Sequence, residues 1–170
     1  VTSYNFFVLG NIFLWPAIIT LANLVGKKES QLALWGGTFV IFGLFARTFH
    51  GGVDHLAFQL VRVQGLAVAT RAVADSYGAF NIIATLNGAV LLGWIILAVG
   101  AYRSGTIGLF RSISLGLMAV LMLGVLKGSS WVSIIATAGL CLALVPLGIK
   151  VLQNGPLPSL KAVIGWLLII

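Results

Sequence analysis

The chain has 170 residues, of which 60% are hydrophobic and 8% charged, and its formal net charge is +7. A water-soluble domain carries about 25% charged residues to wet its surface, so an aqueous globule is excluded and lipid is the expected solvent, in keeping with a mean hydropathy of +1.13. The basic residues sit mainly at the edges of apolar runs, where anionic headgroups would meet them, and no basic patch interleaved with aromatics exists to hold a nucleic acid.

A bilayer core of ~30 Å takes roughly 20 apolar residues per crossing helix. The expectation is therefore an all-α, polytopic transmembrane helix bundle of about six spans, or roughly five to seven. Residues 1–170 should form a single integral membrane domain with no soluble domain left over. Val1 opens without the basic stretch and small-residue cleavage site of a signal peptide, and Ile170 stops inside an apolar run. The expectation is a processed or partial version of a longer chain. Cys141, the only cysteine, lies in an apolar run and offers neither a disulfide framework nor a thiolate cluster.

In chain order, the first apolar run covers residues 4–25, with Asn11 and Thr20 inside it and Pro16 at its middle, where a kink is expected. A polar turn at residues 27–30, containing Glu29 in an exposed-looking position, leads to a second span over 32–49 that carries Trp35, Gly36, Gly37 and Gly43. The stretch 50–55, with Gly51 and Gly52 flanked by His50, Asp54 and His55, reads as irregular. From there to residue 74 run Gln59, Arg62, Gln64 and Arg71, with Asp75 just beyond. At 100° per residue, His55, Gln59 and Arg62 share one side, while Gln64, Arg71 and Asp75 share a nearly opposite one. The changeover beside Gly65 predicts a helix broken there or packed inside the protein. The favoured reading of 50–75 is a partly interfacial or re-entrant segment, since each charge costs about 2.5–3.5 kcal/mol at the membrane centre.

Three apolar runs follow, over 77–101 with Asn81, Thr85 and Asn87, over 107–126, and from Trp131 to about residue 151 with Pro146 near its end. Residues 153–158 form a breaker, and the last run, 160–170, is too short to cross alone. With six spans, Lys27, Lys28, Arg103, Arg111, Lys150 and Lys161 fall on one side and Arg47, Arg62, Arg71 and Lys127 on the other. That imbalance weakly favours an outside N-terminus.

Gly108, Ser112, Gly116 and Gly124 recur at multiples of four, so one helix face lets another backbone approach closely. Ala89 with Gly93, and Ser133 with Thr137 and Cys141, are shorter versions. Such faces pack helices within one chain or dock other membrane subunits. Trp35, Trp131 and Trp166, with Tyr77 and Tyr102, mark span ends as interfacial anchors.

The candidate polar pocket comprises Arg47, His50, Asp54, His55, Arg62, Arg71, Asp75 and Asn81. Arg47, His50 and Asp54 share a helical face if Gly51 and Gly52 keep the register. His50 and His55 are candidate metal or haem ligands, although their spacing matches no metal motif and no third histidine exists. Arg71 and Asp75 are placed to pair along one helix. No zincin, nucleophile-elbow or phosphate-loop signature is present, and no cofactor is specified. Three readings follow. The first is a non-catalytic accessory, assembly or partner-binding membrane subunit. The second is a small transporter or solute-binding component with its polar site around 54–75. The third is an intramembrane metal- or haem-binding protein.

Overall fold

In hydrocarbon a backbone N–H or C=O finds no water, so each must bond within its own helix or a closed sheet. The computed structural model describes residues 2–78, 86–120, 131–155, 159–161 and 164–165. Among these residues every element is helical: α1 (Thr2–Gly26), α2 (Ser30–Gln64), α3 (Leu66–Gly78), α4 (Asn87–Arg103), α5 (Leu109–Gly116) and α6 (Trp131–Asn154), with a short 3-10 helix at Leu117–Val120. Three of them, Tyr4–Gly26, Ser30–Gln64 and Trp131–Asn154, are long and apolar enough to cross a membrane, and Gly88–Arg103 and Leu109–Val120 are shorter apolar helices. The chain is thus an all-α bundle of multi-pass membrane type. Fewer helices reach crossing length than the six spans expected, because the remaining apolar runs extend into residues 79–85, 121–130 and 166–170, outside the described residues.

α1 packs on α2, α2 on α4, α4 on α5, and α5 with its 3-10 extension on α6, while α3 packs back on α2. The buried stripe of α1 is Ile18, Leu21 and Val25, at the three-and-four spacing of one helix face, and it joins Val40, Leu44, Val90, Trp94, Leu97 and Leu115 in one core. The opposite surfaces are also apolar. Phe6, Phe13, Phe42, Phe45, Phe110 and Ile134 all stand exposed, as expected of side chains that face lipid and not water.

The closest approach is between α2 and α4. A methyl group added at Gly36 would lie 2.7 Å from the Leu97 backbone nitrogen, and one added at Gly93 would lie 2.6 Å from that of Val40. Gly43 against Val90 and Gly100 against Leu32 continue the seam in antiparallel register. Heptad-spaced glycines on both helices therefore bring the two backbones into contact, which is how helices gain dispersion energy where no hydrophobic effect drives them together. Trp94, only 1% exposed, fills the core beside this seam and is no interfacial anchor, unlike Trp131 at 80%.

One sequence expectation is corrected. Residues 50–55 are not irregular: α2 runs unbroken through Gly51 and Gly52, and the chain breaks at Gly65, whose φ of 88° favours glycine. Two glycines weaken a helix by about 1 kcal/mol each, but Gly51 gives Phe7 and Tyr4 of α1 room to pack on α2 there. The segment over 50–75 is thus two regular helices joined at one residue. Of the two uses expected for small-residue faces, Thr137 and Cys141 are not packed within the described residues: they point outward, and the buried line of α6 is Ala136, Gly139, Ala143 and Leu147. α1 continues through Pro16 without a break, and α6 ends at Asn154, at the start of the expected breaker.

Hydroxyl groups inside the helices close on their own carbonyls. Thr20 donates to the Pro16 oxygen at 2.8 Å, Thr48 to Leu44 at 2.9 Å and Ser114 to Phe110 at 2.9 Å. That arrangement satisfies a donor with no water at hand.

Replacing Gly36 by Leu is expected to lower the thermal midpoint of the detergent-purified protein by the equivalent of at least ~1–3 kcal/mol, the usual cost of overpacking. Gly148→Leu, at a position with nothing within 4 Å, should leave the midpoint nearly unchanged.

Candidate functional site

The α1–α2 hairpin turns at Lys27 to Glu29, so its two helices run antiparallel and the start of α1 meets the second half of α2. The Tyr4 ring stacks on His55 with centroids 4.6 Å apart, and the Arg47 guanidinium lies over Phe7 at 5.4 Å from its centroid. Gly51 makes this contact possible, because a methyl group there would meet Phe7 Cε1 at 2.7 Å and the Tyr4 hydroxyl at 3.5 Å. Asn11, buried on α1, donates to the Phe7 carbonyl oxygen at 2.9 Å.

Arg47 is half-buried, and its Nη1 atom is buried without a hydrogen-bond partner. A desolvated guanidinium normally carries a counter-charge, and the ring face of Phe7 supplies only part of one.

The other expected site residues do not converge. Asp54 and Arg62 are exposed on α2, and Arg71 pairs with Asp75 on α3 at 3.9 Å with both side chains mostly in the open. His50 and His55, about 140° apart around a helix of ~3.6 residues per turn, diverge. The His50 ring sits edge-on to Phe49. Among the described residues no group of three or more His, Cys, Asp or Glu side chains could hold a metal ion. Asn81 lies outside the described residues.

The small-residue stripe is similarly divided. Ser112 is buried with its hydroxyl unpartnered, Gly116 would place a methyl group 3.6 Å from Ala98, and Gly108 has open space. Gly124 falls outside the described residues. At the far end of the hairpin Arg103 pairs with Glu29 at 3.3 Å, tying the α1–α2 turn to the end of α4. Glu29 is therefore engaged and not simply exposed. Near it a shallow open groove of about 500 Å³ runs between α1 and α2, lined by Ile19, Ala22, Asn23, Lys27, Ser30 and Thr38 among others. None of the expected site residues lines it.

Tyr4 and Phe7 were not singled out by sequence reasoning. The available signal was the short turn at 27–29, which in an antiparallel hairpin places residue 4 level with residue 55. No protein-family model, curated protein or solved structure matches the chain.

Two substitutions separate the buried cluster from the exposed pair. Asp75→Asn should change stability by no more than ~0.5 kcal/mol, as for most exposed ion pairs. Gly51→Leu should cost at least ~1–3 kcal/mol by driving a side chain into Phe7. Both are checked by thermal unfolding in the same detergent.

Proposed function

We propose that this chain is an accessory or assembly subunit of a multi-pass membrane complex, without catalytic activity of its own. The observation that carries the reading is the outer face of α6, where Thr137, Cys141 and Gly148 stand exposed at helical spacing. They form a small-residue surface on which another helix can lie closely. The open side of Gly108 on the neighbouring element offers a second such place. Around it the chemistry-bearing side chains are dispersed or paired, which supports docking over turnover. In this reading the apolar runs over 77–101, 107–126 and 160–170 are the further spans that, with the three long helices, give about six, and residues 1–170 act as one domain. Its partners are the lipid bilayer and another membrane subunit.

α2 supports a partly interfacial segment. Its 35 residues measure about 52 Å at ~1.5 Å each, and even a ~40° tilt leaves more than the ~30 Å hydrocarbon core. Its end therefore projects past that core and α3 lies in the headgroup layer, where exposed Phe58, Val63 and Leu66 face the acyl boundary. The solute-binding alternative draws on Arg62, Arg71 and Asp75, but Arg71 and Asp75 pair with each other on the exposed surface of α3 and Arg62 is exposed on α2.

Extraction from native membranes in mild detergent is expected to yield the chain together with a second membrane protein. Replacing Thr137 and Cys141 by Phe should release that protein while leaving the thermal midpoint of the chain unchanged. A stable solitary monomer in the wild-type extract would contradict the subunit reading.

A further inference from the structure

We infer that Arg47, which lies over Phe7, binds the phosphate of an anionic phospholipid at the end of the α1–α2 hairpin remote from Lys27, with the stacked Tyr4 and His55 rings further out along the same hairpin. The whole chain holds 3 acidic residues against 10 Lys and Arg. Glu29 is engaged by Arg103 at the opposite end, and Asp75 is paired with Arg71 on α3. Asp54 is exposed and stands about 10 Å further along the helix axis at ~1.5 Å per residue. The stretches 79–85, 121–130, 156–158, 162–163 and 166–170 contain no acidic residue. No carboxylate side chain is thus left to neutralise Arg47, whose Nη1 is buried without a hydrogen-bond partner. The counter-charge comes from outside the chain.

Depth selects its chemistry. Lys27, Lys28 and the Arg103–Glu29 pair mark one membrane edge at the start of α2. From Ser30, Arg47 lies about 26 Å along the helix at ~1.5 Å per residue. In a hydrocarbon core of ~30 Å, that is just inside the opposite edge, within snorkelling reach of lipid phosphates. Tyr4 and His55 lie further out, level with the headgroups, and supply hydrogen-bond donors there. Gly52, exposed on α2, leaves the helix surface open beside the Tyr4 hydroxyl, which would lie 4.0 Å from a methyl group there. A headgroup can occupy that space. Guanidinium matches phosphate with two parallel hydrogen bonds, which an ammonium group cannot do.

The test is native mass spectrometry of the intact chain in mild detergent, titrated separately with phosphatidylglycerol, phosphatidylcholine and inorganic phosphate. The wild type is expected to retain phosphatidylglycerol about tenfold more tightly than phosphatidylcholine, whose phosphate already carries the choline ammonium as an internal counter-charge that repels the guanidinium, and to ignore inorganic phosphate. Arg47→Gln should abolish the preference, Arg47→Lys should weaken it, and Arg71→Gln should leave it intact. If Arg47→Gln does not fold, the wild-type preference and its weakening in Arg47→Lys decide the matter. Equal retention of the two lipids by the wild type would overturn the proposal, as would displacement of bound lipid by inorganic phosphate. So would loss of a protein partner from the Arg47 variants with lipid retention unchanged, because the counter-charge would then be a partner's carboxylate.

Discussion

Where a polypeptide is surrounded by hydrocarbon, the unbonded peptide group is the costliest thing it can present, and most of this structure follows from avoiding it. α2 passes through Gly51 and Gly52 as regular helix although both residues favour breaking it. The chain opens at Gly65 instead, past the length of helix that a bilayer core covers. Thr20, Thr48 and Ser114 turn their hydroxyls back onto carbonyls of the preceding turn. The same constraint leaves large apolar side chains free to face outward, since lipid tails solvate them as well as a protein core would.

With no hydrophobic gain available between helices, association depends on close contact. Gly36 and Gly43 on α2 and Gly93 and Gly100 on α4 bring those helices to backbone distance. The seam fixes their antiparallel register and so brings Arg103 to Glu29. Each later helix then packs on the one before it. The polar end of the α1–α2 hairpin is a consequence: once the register is set at the Lys27 turn, Tyr4, Phe7, Arg47 and His55 must meet at the other end.

The membrane class and the bounds of α1 and α6 were legible because long apolar runs between charged turns leave few alternatives. The break at Gly65 was also legible, from the shift of polar residues between helix faces there. The continuity of α2 was not, because Gly51 and Gly52 signal a turn locally and only their packing against Phe7 and Tyr4 shows why the helix persists. The glycines of the α2–α4 seam were visible as residues but not as a seam, because heptad spacing on two antiparallel helices acquires meaning only when they are paired. Arg47 and His55 were marked by their chemistry. The aromatic residues that hold them come from another helix, and single-sequence spacing does not reach across helices.

Lipid, and not water, surrounds the outer faces of the bundle. Cys141, the single cysteine of the chain, stands exposed on α6, about 15 Å from its first residue at ~1.5 Å per residue and so near mid-membrane depth. Intact membranes treated with a charged, membrane-impermeant maleimide should leave Cys141 unlabelled, and the same protein dissolved in denaturing detergent should label fully. Rapid labelling of Cys141 in the intact membrane would place water where hydrocarbon is required.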